Sequence, residues 1–147
     1  GLLIAIGSDH GGFLIKEQIK KYLEQNKISY NDFGTNSEES VDYPVFAREV
    51  AQSVARGECE LGILCCGTGI GVSIAANKIK GIRAALCNDE FCAEMARKHN
   101  NANVMCVGGR IVDTDKVLPI VKKFLNTPFE GGRHQKRLDE ISEIENI

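Results

Sequence analysis

The chain has no apolar run approaching the roughly 18 residues a bilayer-spanning helix needs, and its amino terminus lacks the charged-then-apolar layout of a secretory leader. The cytoplasm is therefore the expected compartment, and no membrane association is expected. An excess of either charge is also missing: 18 Lys and Arg stand against 20 Asp and Glu, for a net charge of −2. That balance argues against nucleic acid or an anionic membrane surface as a partner. Repeats, low-complexity tracts and linkers are absent, so one domain over residues 1–147 is expected. Gly1 stands where an initiator Met would be and is read as a trimmed residue without functional weight. No Cys-x-x-Cys occurs among the six cysteines, Cys59, Cys65, Cys66, Cys87, Cys92 and Cys106, and nothing in their spacing resembles a disulfide framework. All six are expected to be reduced, mostly as small buried hydrophobes. No pair of His or Cys has ligand spacing on one element, and Asp9 beside His10 does not complete a set, so no metal is expected.

What is present is ordinary for a single-core globular protein: 147 residues, 43% hydrophobic and 26% charged. Short apolar runs at 2–6, 28–33, 61–64, 83–87 and 104–107 read as strands. Between them, apolar positions recur at helical spacing over 13–26, from Pro44 to Gly57, over 72–78, over 89–99, and from a cap at Asp113 or Thr114 through Leu125. A last helix begins at about Arg133, with Leu138, Ile141 and Ile144 three apart. Strict alternation of strand and helix predicts a three-layer α/β/α sandwich with a five-stranded parallel sheet, Rossmann-like, plus an extra C-terminal helix. In such a sheet the turns after the first, third, fourth and fifth strands share one edge, the edge where ligands bind.

The chain is organised around Cys65-Cys66-Gly67-Thr68-Gly69-Ile70-Gly71, an apolar strand opening through glycines into a helix. Such a turn presents backbone N–H groups to an anion. Alone it could hold a nucleotide phosphate, but it follows the third strand, and no acidic residue ends the next one. Cys66, beside a helix start and glycine amides, should carry usable thiolate character, while Cys65 should face the core because successive strand residues point to opposite sides. Each of the three histidines, His10, His99 and His134, sits in a polar cluster at the end of an element, and His10 and His99 are expected to share the ligand edge. Arg133 and Arg137, four apart on one helical face, fit either a solvated basic surface or a phosphate clamp.

Together, Ser8-Asp9-His10-Gly11-Gly12, Val41-Asp42-Tyr43-Pro44, Cys66-Gly67-Thr68-Gly69-Ile70-Gly71, Ser73-Ile74-Ala75-Ala76-Asn77-Lys78, Gly81-Ile82-Arg83-Ala84, His99-Asn100-x-Ala102-Asn103 and Glu130-Gly131-Gly132-Arg133-His134-x-x-Arg137 resemble the ribose-5-phosphate isomerase type B family. The resemblance runs over nearly the whole chain. It implies a cofactor-free, metal-free aldose–ketose isomerase of the pentose phosphate pathway, acting on ribose 5-phosphate and ribulose 5-phosphate through a cis-enediolate. The family pattern makes Cys66 the base, with Thr68 and the amides of Gly67, Gly69, Ile70 and Gly71 holding the enediolate. It also makes His99 the ring-opening acid and gives hydroxyl protons to Asp9. His10, Tyr43 and Asn100 then contact the sugar, and Arg110, Arg133 and Arg137 the phosphate. A homodimer or dimer of dimers with shared sites is implied as well. The alternatives are a hexose 6-phosphate substrate, allose or galactose, and a non-catalytic sugar-phosphate or nucleotide-binding module. The thiol of Cys66 beside a histidine-bearing edge argues against the module.

Overall fold

A computed structural model describes residues 2–147, and Gly1, with the trimming read into it, lies outside the described residues. Runs of Ile, Leu and Val form β1 (Leu3–Ser8), β2 (Ser29–Asp32), β3 (Leu61–Cys66), β4 (Ala84–Leu86) and β5 (Val104–Gly108). They pair in one parallel sheet of order β2-β1-β3-β5-β4. The helices are α1 (Phe13–Gln25), α2 (Tyr43–Ala55), α3 (Ile70–Ala76), α4 (Glu90–Lys98), α5 (Thr114–Asn126) and α6 (Arg133–Glu145). At α5 the alternative between two caps resolves: Asp113 is the cap, its side chain accepting the Lys116 N–H.

Two cores sandwich the sheet, as the alternation of strand and helix requires. Ile4, Ile6, Ile63, Cys65, Met105 and Val107 point toward α1, α4 and α5. Ala5, Leu64, Cys66, Val104 and Cys106 point the other way, toward α2 and α3. Both β1 and β3 run two residues further than the apolar runs indicate, which carries Ser8, Cys65 and Cys66 into the sheet. The final helix lies outside both layers. Only His134 and Leu138 of α6 are buried, while Ile141 and Ile144 are exposed despite their spacing. It is tied at both ends to the sheet's N-terminal edge: Glu130 N–H donates to the Lys98 carbonyl at 3.0 Å, and Gly81 N–H to the Glu145 carboxylate at 3.1 Å.

An ionic knot stabilises the β1–α1–β2 unit. Lys16 is fully buried, and its Nζ donates to both carboxylate oxygens of Asp32 at 2.8 Å. Asp32 also accepts from Lys20 and from the Gly34 N–H. Burial raises the Asp32 pKa, but the two lysines outweigh it and hold the carboxyl below its usual 3.8.

Candidate active site

The sheet order reverses direction between β1 and β3, so the chain leaves these neighbouring strands on opposite faces and opens a crevice at their C-terminal ends. Asp9 and Cys66 stand on either side of it. Asp9 N–H donates to the Cys65 carbonyl at 3.2 Å, and Asp9 Oδ1 accepts the Gly12 N–H at 3.1 Å. Beyond β3 the loop folds back on the thiol. Gly69 adopts φ of +83° and donates its N–H to Cys66 Sγ at 3.1 Å. Ile70 N–H donates to Thr68 Oγ1 at 3.2 Å. Two of the amides read from sequence as oxyanion donors therefore already have partners within the loop, while Gly67 and Gly71 flank the same turn.

Tight packing makes this geometry rigid. A Cβ on Gly12 would lie 2.4 Å from the Cys65 carbonyl, and one on Gly108 would lie 2.5 Å from the Thr68 backbone. Gly109 and Arg110 donate backbone N–H groups to the carbonyls of Cys66 and Gly67 at 2.8 and 2.9 Å. Asn88, which the sequence reading passed over, clamps the loop by donating Nδ2 to the Thr68 carbonyl at 3.2 Å and accepting the Gly108 N–H at 2.9 Å. Its signal was visible as a polar residue at the C-terminal end of a parallel strand. His10 Nδ1 accepts the Val41 N–H at 3.1 Å, which assigns the ring proton to Nε2. The Tyr43 ring covers Gly71, where a Cβ would come within 2.6 Å of it, and the Arg110 guanidinium lies beside Gly67. A cavity of about 350 Å³ lies against His10, Gly11, Glu38, Gly109 and Arg110. A larger cleft of about 630 Å³, at Tyr22, Leu118 and Pro119, contains none of these groups.

The expectation that His99 shares this edge is corrected by the fold. Because α4 runs back antiparallel to the strands, His99 caps its far end, at the N-terminal edge of the sheet. The Arg83 guanidinium holds the next turn there, donating to the carbonyls of Asn100 at 2.9 Å and Asn101 at 3.0 Å. His99 stacks on His134 of α6, with ring centroids 4.2 Å apart and planes 15° from parallel. Burial, then the charge of His99 and Arg133, pushes the His134 pKa below the usual 6.5. Arg133 and Arg137 are exposed on α6. The candidate residues thus fall into two groups within one chain. Asp9, His10, Tyr43, Cys66, Thr68, the glycine loop and Arg110 occupy one edge, and His99, Asn100, Arg133 and Arg137 the other.

All six cysteines are free thiols. Cys65 and Cys66, adjacent in β3, belong to opposite cores, as alternation requires. Burial pushes the thiols of Cys65 and Cys106 well up and that of Cys87 to about 12, so these three stay protonated. Exposed Cys92 is raised by its bond to the Asp89 carboxylate. Cys66 is set apart by facing an N–H donor at the C-terminal end of β3.

Known proteins match this chain over nearly its whole length. Ribose-5-phosphate isomerase B of Escherichia coli is 46% identical over 142 residues, covering 97% of this chain and 95% of its own. The solved structure of ribose-5-phosphate isomerase B from Clostridium thermocellum superposes with a TM-score of 0.97 at 50% identity, covering 99% and 98% of the two chains. That of the Mycoplasma genitalium enzyme, which holds bound ribulose-5-phosphate, superposes with a TM-score of 0.95 at 44% identity, covering 99% and 97%. The family model described as Ribose/Galactose Isomerase matches residues 4–141, a span that takes in both edge clusters and most of α6. With a parallel sheet, a thiol at its switch point and relatives that match over nearly its full length, this chain belongs to the ribose/galactose isomerase family.

Proposed function

We propose that this chain is an aldose–ketose isomerase interconverting ribose 5-phosphate and ribulose 5-phosphate, with Cys66 as the proton-transferring base. The observation that carries the reading is the Cys66 thiol facing the Gly69 N–H at the crevice between β1 and β3. The backbone N–H fixes the sulfur at the turn that would hold the substrate, where it can serve as the base. In the forward direction Cys66 removes the proton from C2 of the open aldose, and the C1 carbonyl oxygen becomes the enediolate oxyanion. Backbone N–H groups of the turn, led by Gly67 and Gly71 because those of Gly69 and Ile70 are engaged by Cys66 Sγ and Thr68 Oγ1, stabilise that charge together with the Thr68 hydroxyl; one well-placed donor is worth about 3–4 kcal/mol. Asp9 moves the proton between the C1 and C2 oxygens, and return of the carbon-bound proton to C1 completes the ketose. Electrons and protons are only redistributed within the sugar, so the balance calls for no cofactor.

On this reading His99 donates the proton that opens the sugar ring, His10, Tyr43 and Asn100 contact the sugar, and Arg110, Arg133 and Arg137 hold the phosphate. Those groups lie on opposite edges of one sheet, so a working site draws on two copies of the chain. Exposed Ile70 and Ile74 on α3, Leu86 on the open edge strand β4, and Ile141 and Ile144 on α6 support such a homodimer. The α3 helix contacts β4, and the two α6 isoleucines share a cleft with Ala84 and Ala85. Steady-state kinetics on ribose 5-phosphate, allose 6-phosphate and galactose 6-phosphate test the substrate. The pentose is expected to give the highest kcat/KM, and a preference for a hexose phosphate overturns the assignment.

A further inference from the structure

His99, Glu130 and His134 bring three ligand-type side chains together, one donor atom of each lying within 4.8 Å of the others. Glu130 and His134 stand four apart, and His99 joins them only where the end of α4 meets the start of α6. A second observation points to a ligand. His134 is 5% exposed, yet its Nε2 has no hydrogen-bond partner. Leaving a buried polar atom unpaired is costly, so a group that would satisfy it is favoured there. Glu130 Oε1 stands 3.8 Å away, too far for a hydrogen bond. Two donors on one tetrahedral ion, with bonds of about 2.0–2.1 Å, are about 3.3 Å apart, so a small side-chain shift would let both reach one ion.

We propose that His99, Glu130 and His134 form a binding site for a divalent transition-metal ion of the zinc class. Two imidazoles and one carboxylate suit zinc or cobalt, whereas magnesium and calcium take sets made of oxygen. Three protein donors leave the fourth tetrahedral position to water or an anionic oxygen. The stacked rings lie 15° from parallel, so their in-plane lone pairs run side by side and one ring must turn before both face the same ion. His99 is placed to do so: it is half-buried at the end of α4, and among the described residues its ring makes no hydrogen bond. Lys98 and Arg133 border the cluster in sequence and oppose a dication, which makes the ion exchangeable and not a permanent cofactor. One consequence rests on the proposed isomerase reading. An ion on His99 occupies the nitrogen that would protonate the sugar ring oxygen, so the same ion inhibits isomerisation.

Cobalt titration of the metal-free protein tests the site apart from activity. One ion per chain is expected, with the visible bands of tetrahedral cobalt, and zinc should displace it. Glu130→Gln, an exposed position that leaves the core intact, should weaken binding by about tenfold or more, at least the cost of losing a partner behind a ligand. His134→Asn should do the same, and Cys66→Ser and Cys92→Ser should leave affinity unchanged. No saturable binding, unchanged affinity in Glu130→Gln, or an intense near-ultraviolet thiolate-to-cobalt band lost with Cys66 or Cys92 overturns the site. Cobalt binding that leaves isomerase turnover untouched supports the site and overturns the role of His99 as ring-opening acid.

Discussion

Cys66 Sγ accepts the Gly69 N–H at 3.1 Å, and Gly69 delivers that donor from a left-handed backbone, φ +83°, that side-chain-bearing residues rarely adopt. The thiol and its donor are therefore a single unit set by the turn. Replacing Cys66 with Ala removes only a small, almost fully buried side chain and should leave the fold standing. Isomerase turnover is expected to fall by about 10²–10⁴-fold, the usual contribution of a positioned acid or base. A coupled assay for ribulose 5-phosphate measures it, with circular dichroism as the fold control; turnover at the parental rate rules Cys66 out as the base.

Asn88 ties the Thr68 carbonyl to the Gly108 N–H. Asn88→Ala loses two hydrogen bonds worth about 1 kcal/mol each. The loop beside the thiol should loosen, lowering kcat by about tenfold or more while the KM for ribose 5-phosphate moves little, since positioning errors near 1 Å are that costly. A change in Tm with kcat preserved would limit Asn88 to a structural role.

Cys66 and His99 stand at opposite edges of the sheet, so each inactive variant should supply what the other lacks. Mixing Cys66→Ala and His99→Asn chains after joint refolding should restore about a quarter of wild-type activity, because half the two-fold dimers are mixed and each holds one intact site. Light scattering should show no active monomer. Mixtures as inactive as their parents would contradict a site shared between subunits.

Lys16 lies buried with its ammonium on the Asp32 carboxylate at 2.8 Å. Asp32→Asn removes the closer carboxylate from a buried cation, leaving only Glu17 at 3.5 Å, and should cost about 3 kcal/mol in urea unfolding at pH 7. The sign of the pH dependence follows from the depressed carboxyl. Its folded pKa lies below the unfolded 3.8, so its stabilising effect is complete above that value and is lost as pH falls through the folded pKa. The stability gap between wild type and Asp32→Asn should thus be flat from neutrality to about pH 5 and close in stronger acid. A gap that persists undiminished at pH 2 would assign the loss to packing.

Much of the fold was legible because its cause is local. Apolar runs near Ile4, Ile63 and Val104 bounded by glycines make strands, recurrent apolar positions make the intervening helices, and their alternation leaves a parallel sheet as the economical arrangement. The same logic placed Asp9, His10 and Cys66 on one edge and turned Cys65 and Cys66 to opposite faces, since a strand's period of two is a property of its backbone. What no spacing revealed was direction and distance between elements. His99 reads as one more polar residue at the end of an element, and only the return path of α4 sends it to the far edge. The exposure of Ile141 and Ile144 follows from α6 lying outside both layers. The stacking of His99 on His134 and the clamp of Asn88 on Thr68 join residues 35 and 20 positions apart, which only a folded chain brings within contact. Sequence alone determined which side chains could do the chemistry, through backbone periodicity and residue type, and tertiary structure decided which of them meet.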